Sequence, residues 1–197
     1  TDAAERVKIQ YGTSMCYPVS SMGSHVSVVP NHQLNRKTPL HTRANVAYFG
    51  TFGYELDLNK LSYEEISEVK QQIAFMKEYR ELIQFGTFYR LKSPFEGNET
   101  AWMTVSEDKK TALVFWYRER NVVNADFTRV RLQGLDPDFI YRNEYNGTEN
   151  YGDELMNLGL LTTDCTAGEP TSEDAPCTDY ESRIYVLTTV ARIPSPL

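Results

Sequence analysis

Residues 61–86 read LSYEEISEVKQQIAFMKEYRELIQFG, and the spacing of the apolar residues in this stretch predicts a long amphipathic helix. Ser62 and Glu65 have the spacing of a capping box at its start, and Gly86 is a typical stop. At 3.6 residues per turn the helix has about six turns. The apolar residues that recur at steps of three and four are Ile66, Val69, Ile73, Met76 and Ile83.

Downstream of Gly86 the apolar residues recur at every second position, which is typical of strands with one buried face. Turn-like segments such as EDKK and GLDPD separate the alternating stretches. The change of period predicts a domain boundary near residue 86 and an antiparallel β-sandwich over residues 87–197. The alternating stretches are FYRL, AWMTVS, TALVFWYR, TRVRLQ, FIYRNEY and SRIYVLTTV.

Upstream of residue 61 the sequence predicts alternating helices and strands. Residues 1–12, TDAAERVKIQYG, read as a helix that Asp2 caps, with Ala3, Val7, Ile9 and Tyr11 on its buried face. HVSVV and GYELDL read as short strands, with a helix over HTRANVAYFG between them. This order implies a parallel α/β arrangement. Two strands are too few for a parallel sheet covered on both faces, so residues 1–86 are predicted to complete a larger domain.

The charge of the chain argues against two classes of partner. Its formal net charge is −7, and the basic residues are scattered among acidic ones. Nucleic acids and anionic membranes require clustered Lys and Arg, so neither partner is expected. The longest apolar run, ALVFWY at residues 112–117, is too short to cross a bilayer and suits a buried strand.

Cysteines and sequons indicate an oxidising compartment. Cys165 and Cys177 bracket a polar loop and are predicted to form a disulfide, whereas Cys16 is expected to be a buried small apolar residue or to pair outside the chain. Asn98 and Asn146 begin Asn-X-Thr triplets in turn-like stretches, where a glycan would remain in solvent. Together these features favour a secreted or lumenal protein.

Residue patterns that carry chemistry are few. Glu55 and Asp57 lie on the same side of a predicted strand and are candidates for general acid–base catalysis. Hydrogen bonding at the end of a strand is the commoner role of such acidic residues. The three histidines, His25, His32 and His41, lack the spacing of metal ligands. The sequence therefore predicts neither a metal nor a cofactor.

Several motifs in fixed order resemble the α-galactosidases of glycoside hydrolase family 36. In residues 5–58 the run ERVKIQYGTSMCYPVSSMGSHVSVVPNHQLNRKTPLHTRANVAYFGTFGYELDL resembles the back end of the catalytic barrel of these enzymes. The resemblance extends over nearly the whole chain. Its later parts are KLSYEEISEVKQQI, FGTFYRLKSPFEGN, AWMTVSEDKKTALV and LQGLDPDFIY.

The resemblance implies a (β/α)8 TIM barrel, to which residues 1–86 contribute the last strands and helices, followed by a C-terminal β-sandwich at residues 87–197. It also implies retaining hydrolysis of terminal α-linked galactose by an aspartate nucleophile and an aspartate acid/base. Neither aspartate motif is complete in this chain. TDAAER matches the end of the family pattern SDxxDAxER, so the acid/base is expected just upstream of Thr1, with Asp2 as the adjacent helix cap.

The segment is expected to contribute the rim of a sugar site, because barrel enzymes place their sites at the carboxyl ends of the strands. The residues expected to line this rim, or alternatively to pack and hydrogen-bond at strand ends, are Gly23, Ser24, His25, Tyr54 and Glu55.

The partners implied by the resemblance are α-galactoside sugars, the N-terminal remainder of the same enzyme and further copies of it in a homo-oligomer. The chain alone is expected to be inactive. Two other functions are compatible with the residues: a non-catalytic structural or carbohydrate-binding protein that reuses the fold, and an enzyme that transfers galactosyl units as raffinose synthases do.

Overall fold

The computed structural model describes residues 1–123, 127–162 and 179–192, and its chain divides into two compact units, Thr1–Gly86 and Thr87–Leu197. Among the described helices none is both long and apolar enough to span a membrane. The predicted disulfide partners, Cys165 and Cys177, lie outside the described residues, so that bond stays a prediction.

The first unit alternates helices with short parallel strands, as the sequence predicts. β1 and β2 pair in parallel, with Val26 opposite Tyr54. Single turns of 3-10 helix at residues 19–21 and 58–60 precede β1 and follow β2. The elements in chain order are α1 (Ala3–Thr13), β1 (Val26–Ser27), α2 (Leu40–Ala47), β2 (Tyr54–Glu55) and α3 (Tyr63–Phe85).

Side-chain caps begin the first and third helices where the sequence predicts them. The Asp2 carboxylate accepts a hydrogen bond from the backbone N–H of Glu5 at 2.9 Å. Ser62 and Glu65 form the reciprocal capping box of α3, with bonds of 3.2 and 2.9 Å. Each cap satisfies N–H groups that the first turn of a helix leaves without partners.

Two predictions about buried residues around α1 are wrong. Ile9 is 50% exposed, because the buried face of the helix carries Arg6 and Gln10 beside its apolar residues. Gln10 donates to the carbonyls of Val46 and Phe49, at the end of α2. Cys16 is exposed rather than buried, because it lies in the turn that follows α1.

The second unit is built on a six-stranded sheet in the order β3-β4-β5-β10-β7-β8, with every neighbouring pair antiparallel. β6 and β9 form a separate two-stranded ribbon. The elements are β3 (Thr87–Lys92), β4 (Glu99–Val105), β5 (Thr111–Arg118), β6 (Arg129–Val130), β7 (Phe139–Asn143), β8 (Glu149–Tyr151), α4 (Gly152–Asn157), β9 (Leu160–Leu161) and β10 (Glu181–Arg192).

The antiparallel sheet is confirmed, but its covering layer differs from a second full sheet. In the described part of the chain, the ribbon and α4 contribute Val130, Leu155 and Leu160 to the core on one face of the sheet. β8, β9 and α4 are too short to produce a recognisable period, which is why the alternation did not indicate them.

The other face of the sheet carries a row of aromatic rings. Trp102 and Phe115 are directly opposite each other on β4 and β5, and their rings stack with centroids 4.3 Å apart. Phe88 and Tyr117 extend the row at centroid distances of 6.3 and 6.4 Å. Cross-strand aromatic pairs of this kind stabilise a sheet and its register.

Alternating charges cross one end of the same sheet. Glu99, Arg118 and Glu181 are opposite one another on three adjacent strands. Glu181 accepts from Arg118 at 2.5 Å and from Arg183 at 2.7 Å, and Lys92 pairs with Glu99. Because the Arg118 and Glu181 side chains are only 12% and 22% exposed, water screens this pair weakly.

Replacing Glu181 by Gln should therefore lower the free energy of unfolding by about 1–2 kcal/mol, between the values for exposed and fully buried ion pairs. Urea denaturation measures the change. Glu149→Gln is the matched control, because Glu149 and Arg142 form an exposed pair in the same sheet. It should change stability by at most about 0.5 kcal/mol. A loss of at most about 0.5 kcal/mol in Glu181→Gln, as in the control, would show that the charged row is not a stabilising feature.

Candidate functional site

The side chains of His25 and Glu55 meet beside the parallel strands. Val26 is opposite Tyr54 in the parallel pair. Because side chains alternate along a strand, the residue before Val26, His25, and the residue after Tyr54, Glu55, point to the same face of the pair. His25 Nε2 lies 2.5 Å from Glu55 Oε2. The His25 side chain is 28% exposed and the Glu55 side chain 66% exposed. The pair therefore presents a solvent-accessible carboxylate that a more buried imidazole holds in place.

Arg6 of α1 is the third residue of this cluster. One of its terminal nitrogens donates to the carbonyl of Gly23 at 2.6 Å, and the other lies 3.5 Å from His25 Nε2. The residue is only 6% exposed. Sequence reasoning missed Arg6, although its position one turn from Gln10 on the face of Ala3 and Val7 indicates a buried polar residue.

The electrostatics of the cluster favour a neutral imidazole. Burial lowers the pKa of His25, the Arg6 cation lowers it further, and the charge and hydrogen bond of Glu55 oppose both effects. A neutral His25 must carry its proton on Nε2 to donate to the Glu55 carboxylate. The Oε1 atom of Glu55 is then available to accept from another donor.

Asp2 and Arg36 form a second charged contact at the start of α1. Arg36, in the loop that follows β1, donates to Asp2 Oδ2 at 2.8 Å and lies 3.5 Å from Glu5 Oε1. Asp2 is 2% exposed. The contact ties the loop to the first turn of α1, in addition to the cap that Asp2 provides.

Ser24 points away from the His25–Glu55 pair. It is 4% exposed, and its hydroxyl donates to the Ala47 carbonyl at 2.6 Å and accepts from the Phe52 N–H at 3.1 Å. A Cβ at Gly50 would lie 2.3 Å from the Ser24 hydroxyl, so only glycine fits there. Ser24 thus holds the turn between α2 and β2, in which Phe52 has a φ of 43°.

The side chains of Tyr54 and Asp57 also bond to residues outside the His25–Glu55 pair. The Tyr54 hydroxyl donates to Gln72 of α3 at 2.8 Å, and burial raises its pKa to about 12. Asp57 accepts from the backbone and side chain of Asn59, so it caps a 3-10 turn. Of the five residues expected at the rim, the structure therefore brings together His25 and Glu55, with Gly23 contributing a carbonyl.

Neither metal ligation nor glycosylation receives support from geometry. Within residues 1–123, 127–162 and 179–192 no three His, Cys, Asp or Glu side chains are grouped as metal ligands. Asn98 and Asn146 are exposed, and their side chains hydrogen-bond with Arg120 and Thr148. Their glycosylation and a secreted or lumenal location stay predictions from sequence.

Two family models match the chain. The model described as Melibiase matches residues 1–86, and the model described as the glycosyl hydrolase family 36 C-terminal domain matches residues 99–187. Together they extend over both compact units.

Curated relatives are longer enzymes. Alpha-galactosidase AgaA of Geobacillus stearothermophilus is 56% identical over 160 residues, which is 81% of this chain and 22% of that protein. The bifunctional alpha-galactosidase/sucrose kinase AgaSK of Mediterraneibacter gnavus is 49% identical over 160 residues, 81% of this chain and 17% of its own length. The chain thus spans about a fifth of the curated relatives that it matches.

Solved structures of α-galactosidases are similar to this chain over the residues of both compact units. The alpha-galactosidase from Lactobacillus brevis has a TM-score of 0.91 and 43% identity, over 100% of this chain and 26% of that one. AgaA from Geobacillus stearothermophilus has a TM-score of 0.86 and 49% identity, over 96% of this chain and 25% of that one.

Replacing Ser24 by Ala should lower the free energy of unfolding by about 1–3 kcal/mol, because two backbone groups lose a buried hydrogen-bond partner. Ser21→Ala is the control, since its hydroxyl bonds to Pro18 at an exposed site. Its effect should stay within about 0.5 kcal/mol. Thermal or urea unfolding compares the two, and a neutral Ser24→Ala would show that Ser24 does not hold the turn.

His25 should titrate below its ordinary pKa of about 6.5, and Glu55→Gln should lower that pKa further, because the carboxylate favours the imidazolium. Because the folded-state pKa is depressed, the stability linked to His25 is complete above about pH 6.5 and is lost as the pH falls through the folded value. NMR titration of the three histidine rings measures both, with His25→Asn for assignment. A raised or unchanged His25 pKa in Glu55→Gln would contradict the described contact.

Proposed function

Because the chain belongs to glycoside hydrolase family 36, we propose that it is the C-terminal part of an α-galactosidase. The single observation that carries this proposal is 56% identity to AgaA. Variants of AgaA have been crystallised in complex with raffinose and with stachyose. We therefore propose terminal α-linked galactose on such oligosaccharides as the substrate.

We propose that residues 1–86 supply the last strands and helices of a (β/α)8 barrel. The parallel β1–β2 pair and the three helices around it support this assignment, as does the Melibiase match over the same residues. Segments upstream of Thr1 would provide the other strands. The second unit would then be the C-terminal β-domain of the enzyme.

Retaining hydrolysis requires two carboxyl groups roughly 5 Å apart, one as nucleophile and the other as acid/base. The described cluster contains one exposed carboxylate, Glu55, which His25 already engages. We therefore assign the nucleophile and the acid/base to aspartates upstream of Thr1. Asp2, buried and bonded to Arg36, would hold the adjacent helix start in position.

His25, Glu55 and Gly23 are the described residues that we place at the rim of the sugar site. With Oε2 bonded to His25, the exposed Glu55 carboxylate can use Oε1 to accept from a sugar hydroxyl. Ser24 and Tyr54 would support the rim through the α2–β2 turn and α3, rather than contact the sugar.

The full-length polypeptide that contains this chain should release galactose from raffinose, and the first galactose formed should be the α-anomer. Enzymatic sugar assays and ¹H NMR of the anomeric protons measure both. Residues 1–197 alone should show no turnover, since both catalytic carboxyl groups are assigned to the polypeptide upstream of Thr1.

Two outcomes would overturn the proposal in different directions. Galactosyl transfer from galactinol to sucrose that exceeds hydrolysis would indicate a raffinose-synthase-like enzyme. Absence of both reactions in a folded full-length protein would indicate a structural or carbohydrate-binding role. Mass measurement under native conditions would test the homo-oligomer.

A further inference from the structure

Arg6 is a buried cation that lacks an ion-pair partner among the described residues. It is 6% exposed, and its terminal nitrogens contact the Gly23 carbonyl at 2.6 Å and His25 Nε2 at 3.5 Å. The Nε–H group is buried and has no hydrogen-bond acceptor in the described chain. A guanidinium in this state is costly unless an anion or another acceptor completes it.

Glu55, the acidic residue whose charge acts on Arg6, does not complete it. The Glu55 carboxylate is bonded to His25 Nε2 at 2.5 Å and is 66% exposed. Burial lowers the pKa of Arg6, and the charge of Glu55 opposes that effect only in part. Since arginine stays protonated in proteins, the positive charge remains and calls for a further negative group.

We propose that the Nε–H of Arg6 pairs with a carboxylate from the polypeptide upstream of Thr1, and that Arg6 is a positioning residue for that carboxylate. The inference rests on the proposed function, which places the missing carboxylates upstream. A guanidinium edge suits a carboxylate because its parallel N–H groups match the two oxygens. The pairing would orient the carboxylate beside His25 and Glu55 and keep it ionised.

Arg43 of α2 offers a matched control. It is 4% exposed, one terminal nitrogen donates to the Ser27 carbonyl at 2.8 Å, and its Nε–H also has no acceptor in the described chain. Its electrostatic neighbours are Glu65 and Glu68 of α3, whereas that of Arg6 is Glu55. The two arginines thus share burial and a backbone contact but face different groups.

The experiment compares Arg6→Gln and Arg43→Gln in the full-length polypeptide, each alone and with Glu55→Gln. kcat/KM for p-nitrophenyl α-galactopyranoside is measured from about pH 3 to pH 8, where its acid limb reports an essential carboxylate of the free enzyme. Arg6→Gln should raise the apparent pKa of that limb by about one unit or more, also in the Glu55→Gln background. Arg43→Gln should not shift it.

Three results would overturn the inference. The acid limb of Arg6→Gln could match that of the wild type, Arg43→Gln could shift it equally, or the shift could vanish in the Glu55→Gln background. The last result would make Glu55 the partner of Arg6. If Arg6→Gln fails to fold, Arg6→Lys keeps the charge without the paired N–H edge and should give a smaller shift in the same direction.

Thermal unfolding separates this inference from the proposed function. If the wild type hydrolyses no galactoside, the proposed function fails, but the pairing is still decided by stability. A carboxylate paired with Arg6 adds stability above its unfolded pKa of about 4, and that stability is lost as the pH falls through its lower folded pKa. In the Glu55→Gln background, Arg6→Gln should therefore lower Tm more at about pH 7 than at about pH 3. A pH-independent loss would show that the acceptor is neutral.

Discussion

The arrangement of the first unit depends on the register of two short parallel strands. The Val26 N–H donates to the Gly53 carbonyl at 2.8 Å, and Val26 lies opposite Tyr54. Since side chains alternate along a strand, this register puts His25 and Glu55 on one face and Tyr54 on the other. A shift by one residue would separate the pair, so the candidate site is a consequence of the register.

Buried polar side chains of α1 and α2 stabilise this register through hydrogen bonds to the backbone around β1. Arg6 of α1 and Arg43 of α2 donate to the Gly23 and Ser27 carbonyls, at the two ends of the segment that contains β1. Ser24 links the same segment to the α2–β2 turn. These bonds satisfy backbone groups that so short a ladder leaves unpaired, while the buried charges of the arginines demand compensation.

In the second unit, an alternation of apolar and polar residues predicts the long strands but not the shortest elements. Alternation in residues 101–106 and 111–118 predicts β4 and β5, and their register pairs Trp102 with Phe115 and Glu99 with Arg118. The stretch TRVRLQ predicts β6 of the covering ribbon, whereas its partner β9 and the helix α4 escaped prediction, since elements of two to six residues contain too few side chains to establish a period.

Sequence alone determined the helix caps of Asp2 and Ser62, the alternation of helices and strands, the antiparallel sheet and the presence of His25 and Glu55 near a strand pair. Each of these features is predicted by residue types that lie within a few positions of one another in the chain. Only the tertiary structure decided that Arg6 joins His25 and Glu55 while Ser24 and Tyr54 face other elements. Such contacts connect residues far apart in the chain, and their partners follow from packing and strand register rather than from spacing.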